Sequence, residues 1–422
     1  MSKLITNTIR HTGGSADNIT LDNSQNVTIE GNATVDGTST LTGNVTASGN
    51  LTVSGTTTIS GYNSTSSRNS KNLAINGSMI IAQRGTSYTS DQQGYQTVDR
   101  FGIEWSGADA IIEQHQVDVT NSGHTGAWEA GFRKAWKLVN GNQSSGAGAA
   151  DYAQLYHKIE AFNMAYSGWD YKDTSKNITL SFWVRSSMAQ TFQCALYTQD
   201  GPDKVYTFEY TISSANTWQK ITKTIPGHAD LEFHTNVGLG MQIYWSLFHG
   251  TDMTTSSGNL NQWADHGGND DWKDMPGDPN WWTTNDAEFW LTGVQLEVGD
   301  TATDFEHRSY GDELLRCQRY FYGINNVDSQ FRGIGYGGGP NWANAVIYFP
   351  TTMRAAPTGS GSNLDTLYFN NGATAWSNSS LTFNTCKYST AFGANMSGSS
   401  QGQGLSIYST GSTLKLNFDA EL

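Results

Sequence analysis

From Asn26 to Gly61 the chain reads NVTIEG, NATVDG, TSTLTG, NVTASG, NLTVSG and TTTISG, six hexads without an insertion. Glycine closes every hexad, from Gly31 to Gly61, and threonine always takes the third place. Ten of the twelve second and fourth places are apolar, the exceptions being Ser39 and Thr57. In an extended strand those two places share one face. Val27, Ile29, Val35, Leu41, Val45, Leu51, Val53 and Ile59 therefore line up on a single apolar edge. Glycine allows a tight corner or a close backbone approach, and β-branched threonine suits an outward strand position. A short strand plus a corner, repeated at a fixed period, predicts a triangular β-helical shaft. Six hexads make only about two turns of a three-sided coil, with both ends open. Three chains around one axis close the apolar edge on itself, so the expected assembly is a homotrimer. The earlier NITLDN fits the pattern with Asn23 in the glycine place, and Ser24 and Gln25 break the phase.

The remainder is not low-complexity material, since 12% of the 422 residues are aromatic. Glycine is plentiful at 46 and proline scarce at 7, the profile of an all-β chain with many turns. Charged residues make up 15%, with a net charge of −14, which argues against nucleic acid, whose binding rests on Lys and Arg. Cys194, Cys317 and Cys386 are far apart and odd in number, so neither a disulfide framework nor a zinc spacing is expected. The first residues, MSKLITNTIR, lack the apolar core of a signal peptide, and no apolar run is long enough to span a bilayer. Synthesis in a cytoplasm without a secretion signal is expected.

Five segments follow. Residues 1–16, with apolar Leu4, Ile5 and Ile9, read either as an attachment segment or as a frayed terminus. Residues 17–61 are the shaft and 62–71 (YNSTSSRNSK from Tyr62) a polar linker. Residues 72–310 carry strand after strand, among them ITLSFWVRSS, FQCALYTQD, KVYTFEYTI and AEFWLTGVQLEVG, predicting a β-sandwich of the jelly-roll kind. Within it DYAQLYHKIEAF (151–162) reads as a helix. Residues 311–422 form a smaller C-terminal β domain, opened by a short helix in GDELLRCQRYFYG, where Glu313, Arg316 and Arg319 are expected to make salt bridges.

Three blocks resemble those of bacteriophage tail fibres and related receptor-binding proteins, particularly of marine phages. They are NLAINGSMIIAQRGTS with the later VDRF, the run from Phe289 to Phe321, and FPTTMRAAPT from Phe349 to Thr358. SFWVRSS, TWQKITKTIPG and GVQLEVG are similar to segments of jelly-roll carbohydrate-binding modules. The resemblance implies a trimeric virion fibre, on the tail or head exterior, that binds other virion proteins through its N-terminus. Its outer partner is then a host-surface glycan or outer-membrane component. It implies no catalytic residues. The alternative is a purely structural head or neck fibre without a specific ligand.

WADHGGNDDWKDMPGDPNWW is the most unusual stretch. Trp263, Trp272, Trp281 and Trp282 could stack on sugar rings while Asp270 and Asp271 bond hydroxyls. The aspartates could equally hold Ca²⁺, although the spacing is not that of an EF-hand. Alternatively the tryptophans staple a long loop onto the sandwich or across a trimer interface. A glycosidase pair drawn from Asp270, Asp271 and Glu288 is disfavoured, because adjacent aspartates in a glycine-rich loop are more often solvated or metal-bound. No enzyme activity is expected, and no cofactor beyond that calcium.

Overall fold

Strands whose residues alternate between apolar and polar build two six-stranded antiparallel sheets that share one core. The computed structural model describes residues 71–122, 125–255, 260–266, 272–273, 280–325, 332–372, 375–377, 380–395, 398–410 and 414–422, together with 8–9, 19–21 and 27–29. Two compact units divide the chain, Met1–Asn63 and Ser64–Leu422.

In the first unit, strands Thr8–Ile9, Ile19–Leu21 and Val27–Ile29 form an antiparallel meander, with Ile9 opposite Ile19 and Ile19 opposite Ile29. Successive strands wound in one sense about an axis do not reverse in this way. The described part of the repeat is thus an antiparallel pairing of Ile19–Leu21 with Val27–Ile29, and a triangular β-helical shaft is not shown. Val27 and Ile29 lie in its third strand and Ile9 in its first. Leu4, Ile5, Val35, Leu41, Val45, Leu51, Val53 and Ile59 lie outside the described residues.

In the second unit, the first sheet runs Trp263–Asp265, Lys204–Thr211, Thr191–Thr198, Leu239–His249, Tyr152–Glu160, Phe101–Ser106. The second sheet runs Gln219–Pro226, Asn177–Ser186, Glu288–Val298, Lys134–Val139, Glu113–Asp118, Ser87–Tyr88. Ile178, Leu180, Phe182 and Val184 of one sheet meet Phe192, Cys194, Leu196 and Trp245 of the other, and burial pushes the Cys194 thiol well up. The helix expected over 151–162 is instead the strand Tyr152–Glu160, followed by a short helix, Ala161–Ala165. Hydrogen bonding to a strand on each side outweighs the high helix propensity of Ala, Gln, Leu and Lys.

Helix Tyr310–Gln318 starts at Ser309, whose hydroxyl accepts the Asp312 N–H at 3.2 Å. Beyond it lie a seven-stranded and a three-stranded sheet around a separate core that includes Met353, Phe369, Phe392, Ile407 and Phe418. The other face of the seven-stranded sheet presents Ile334, Tyr336, Val346 and Tyr348 to solvent, with Ile334 84% exposed.

Arginines join the two cores. Arg100, 0% exposed, ion-pairs with Glu421 and lies 3.5 Å over the Tyr320 ring. Arg84 reaches Asp419 at 3.0 Å and Glu421 at 3.4 Å, and Arg354 donates to the carbonyls of Val237, Ala420 and Glu421. Arg319 holds Glu160 with two bonds of 2.7 and 2.9 Å, and Glu313 pairs with Arg308 at 3.4 Å.

Candidate functional site

Three tryptophans of the tryptophan-rich stretch, Trp263, Trp281 and Trp282, do not offer their rings to a ligand. Trp281 and Trp282, in the one-turn helix Asn280–Thr283, are 0% exposed. Trp282 stacks on Phe248 at 5.3 Å and donates Nε1–H to Gly146 O, while Asn140 Nδ2 ties down the carbonyls of both tryptophans. Trp263 is buried against Tyr206 and donates to Pro226 O at 2.7 Å. Trp281 and Trp282 pack by Gln190 and Asn140 at one end of the sandwich and Trp263 by Pro226 towards the other, and in both places burying large apolar area outweighs display. Sugar stacking on them is therefore corrected to core packing. Trp272 belongs to a two-residue strand paired parallel with Thr254–Thr255; Asp270 and Asp271 lie outside the described residues. No cluster of three metal-ligating side chains occurs among the described residues. Glu288 is on the second sheet, bonded to Lys137, Arg185 and Trp290 Nε1.

A different surface has the make-up of a binding face. On the first sheet Phe192, Cys194, Leu196, Ile243, Trp245 and Leu155 point into the core, so their neighbours point outward. Strand register arranges those outward side chains in three transverse rows. One is Glu209, Gln193, Ser246, Gln154, Glu104; the next is Thr207, Ala195, Tyr244, Tyr156, Gly102; the third is Val205, Tyr197, Gln242, Lys158. The outward residues of this face include three tyrosines, Tyr244, Tyr156 and Tyr197, and three glutamines, Gln193, Gln154 and Gln242, beside Glu209, Glu104, Thr207 and Lys158. Much of it is closely packed, with Gln193 and Ser246 fully buried and Gln242, His249, Tyr156 and Tyr197 nearly so, which leaves Glu209, Tyr244, Gln154, Glu104 and Lys158 as its partly exposed side chains.

Two local devices shape it. A β-bulge between Ser246 and Phe248 sends Leu247 and Phe248 both into the core, leaving Ser246 and His249 both on the outer face. Ser246 then bonds His249 Nδ1, His249 Nε2 meets Gln154 Oε1 at 3.0 Å, and Gln154 Nε2 donates to Glu104 at 2.5 Å. Burial pushes the His249 imidazole down to about 3, so the relay runs through a neutral ring. The second device is Gly102, where a Cβ would stand 2.4 Å from Tyr156 Cζ. Its lack of a side chain lets the Tyr156 ring lie flat on the sheet, edge-on to Tyr95 at 5.2 Å.

Tyr244 connects the rows, 6.5 Å from both Tyr156 and Tyr197, and donates to Gln242 at 2.8 Å. Burial raises the Tyr156 and Tyr244 hydroxyls, which stay neutral donors. Glu209 Oε1 is buried with no hydrogen-bond partner among the described residues, an arrangement that costs free energy unless something donates to it. The two carboxylates of the polar row, Glu209 and Glu104, are four strand spacings apart, roughly 19 Å at about 4.8 Å each. Glycosidic cleavage needs about 5–9.5 Å between its two carboxyl groups. Glu209 and Glu104 are therefore too far apart to act as such a pair. Tyr152, Gln154, Tyr156 and Lys158 were legible as an alternating series in YAQLYHK, hidden by the helix reading.

No family model and no curated relative matches the chain. Among solved structures it is similar to the enzymatically active domain of tailspike protein 4 from bacteriophage CBA120, at 10% identity and a TM-score of 0.30, over 54% of this chain and 22% of that one. A sugar-binding protein of Bacteroides thetaiotaomicron, itself named only provisionally as such, aligns at 10% identity and 0.28, over 54% and 100%. A xylan-binding domain from Paenibacillus barcinonensis aligns at 9% and 0.23, over 53% and 100%. At scores below 0.5 none of these likenesses decides function, which is left to the side chains of this chain.

Proposed function

We propose that this chain is a carbohydrate-binding fibre protein of a bacteriophage particle that grips a host-surface polysaccharide along the outer face of the first sheet. The observation that carries the proposal is the three-row lattice, in which the partly exposed Tyr244 ring stands beside a transverse line of amide, hydroxyl and carboxylate groups ending at the unpartnered Glu209 oxygen. Sugar rings present C–H faces to aromatic surfaces and hydroxyls to such acceptors and donors. The hexads support assembly as a homotrimer, with residues 1–16 held by other virion proteins, and three copies bind a repeating glycan with multivalent gain. The uncharged exposed row Ile334, Tyr336, Val346 and Tyr348 is in keeping with contact between copies.

Calorimetry of the full chain against a panel of bacterial surface polysaccharides tests the binding. Tyr244→Ala and Glu209→Gln should each weaken the best ligand about tenfold or more, since a hydrogen bond to a charged group is worth about 1.5–3 kcal/mol. If the intact assembly binds no polysaccharide, the structural head or neck fibre takes this reading's place.

A further inference from the structure

The second sheet carries a cavity on its outer face, on the side of the sandwich away from the lattice. Its volume is about 310 Å³. Ser181 and Trp183 of Asn177–Ser186 form part of the lining, with Lys220 opposite Trp183 on the neighbouring strand. Phe132, Phe305 and His307 add a cluster of rings with centroids 4.9–5.4 Å apart. Gly293 stands beside the register shift in Glu288–Val298 at a φ of +64°. A Cβ there would lie 2.5 Å from Phe132 Cζ and 2.9 Å from Trp183 Cδ1, so the two rings approach each other only over a glycine.

We propose that this cavity is a second binding site and that it takes one sugar ring. The size argues for a single ring, as the volume is at the lower limit of ligand pockets, about 300–1,000 Å³. The lining argues for a sugar, because Trp183, Phe132 and Phe305 supply apolar walls while Ser181, Glu129, Asp304, His307 and Lys220 supply donors and acceptors. Both signs of charge stand at the cavity, which favours a neutral ligand over an anion or a cation. This site shares with the first sheet the premise that the protein binds carbohydrate, but it is a compact, partly open recess where the lattice is extended. One sheet then follows a chain and the other receives a single ring, such as a terminal or branching residue.

The test uses the full chain and a set of methyl pyranosides (glucoside, galactoside and N-acetylglucosaminide), read by saturation-transfer NMR and calorimetry. At least one pyranoside should bind. Trp183→Ala, which removes a wall, and Ala130→Trp, which fills the cavity from its surface loop, should each weaken it at least tenfold, with near-ultraviolet circular dichroism confirming the fold. Tyr244→Ala should leave pyranoside binding unchanged while weakening the polysaccharide. Loss with Tyr244→Ala but not with the two cavity variants overturns the second site and leaves the first standing. Polysaccharide binding with no pyranoside binding overturns it as well.

Discussion

Glu421→Gln removes a charge while keeping the side chain's shape, and it tests how the two cores are held together. Arg100 is fully buried, and the neighbouring Glu421 side chain is 6% exposed. Burial alone would lower the Arg100 pKa; Glu421, with Tyr320 and Tyr95 contributing, instead holds it above the usual value. Removing one partner of a buried pair costs about 3–5 kcal/mol. Arg100 keeps the Lys158 carbonyl and the Tyr320 ring, and Arg84 keeps Asp419, so the expected loss is at the lower end, about 3 kcal/mol. Urea unfolding followed by tryptophan fluorescence measures it. The double variant Arg100→Met, Glu421→Leu should recover most of the loss, because apolar replacement of a buried pair is often neutral or better. A Glu421→Gln protein within about 0.5 kcal/mol of the parent would refute the claim that this pair is effectively desolvated.

Gly102→Ala should displace the Tyr156 ring, costing about 1–3 kcal/mol of stability and as much polysaccharide affinity as Tyr156→Ala; an unchanged affinity would remove Tyr156 from the binding face. His157 accepts the Ile75 N–H at Nε2 and meets the Arg100 carbonyl through Nδ1, and burial, helped by the Arg100 charge, pushes it down to about 3. Its folded pKa is below its unfolded one, so its stabilising contribution is complete above about pH 6.5 and falls with pH toward 3, by up to about 1.4 kcal/mol per pH unit. His157→Gln, which can keep both hydrogen bonds, should lessen the slope of unfolding free energy between pH 6 and 4; an equal slope counts against it. Analytical ultracentrifugation should find three copies of the 46.0 kDa chain in the intact protein and a smaller assembly once residues 26–61 are deleted. A monomeric intact protein ends the trimer proposal.

Strand pattern made much of the sandwich readable. ITLSFWVRSS and FWLTGVQLEV alternate, and Ile178, Leu180, Phe182, Val184, Phe289, Leu291 and Leu296 are found in the core, while Trp183 and Trp290 belong to a separate cluster. DYAQLYHKIE alternates too, but its helix-favouring residues concealed this, and strand partners on both sides decided the outcome. The tryptophans misled for a physical reason. Composition cannot separate a displayed ring from a buried one, and Trp282 is buried by Phe248 and Gly146, the latter 136 positions away. The lattice was out of reach because it depends on register: without the bulge after Ser246, His249 would not share a face with it. Of the expected coil only Ile19–Leu21 and Val27–Ile29 are among the described residues, and their antiparallel pairing is a direction that hexad periodicity, which specifies strands and corners, does not set.

The arginine junction also sets a timetable for synthesis. Arg100 and its counter-charge are 321 positions apart in the chain. At about 5–20 residues per second a ribosome takes on the order of 15–60 s to cover that distance. The last sandwich strand, Glu288–Val298, is complete about 6–25 s before Glu421 is made at that rate, and over that final part of the interval the arginine the strands enclose has nothing to neutralise it. The sandwich is therefore expected to remain loosely closed around Arg100 while the rest is translated. Its last locking step then coincides with arrival of the strand Lys415–Asp419 and Glu421, and any neighbouring copy engaged before that moment meets an unfinished surface.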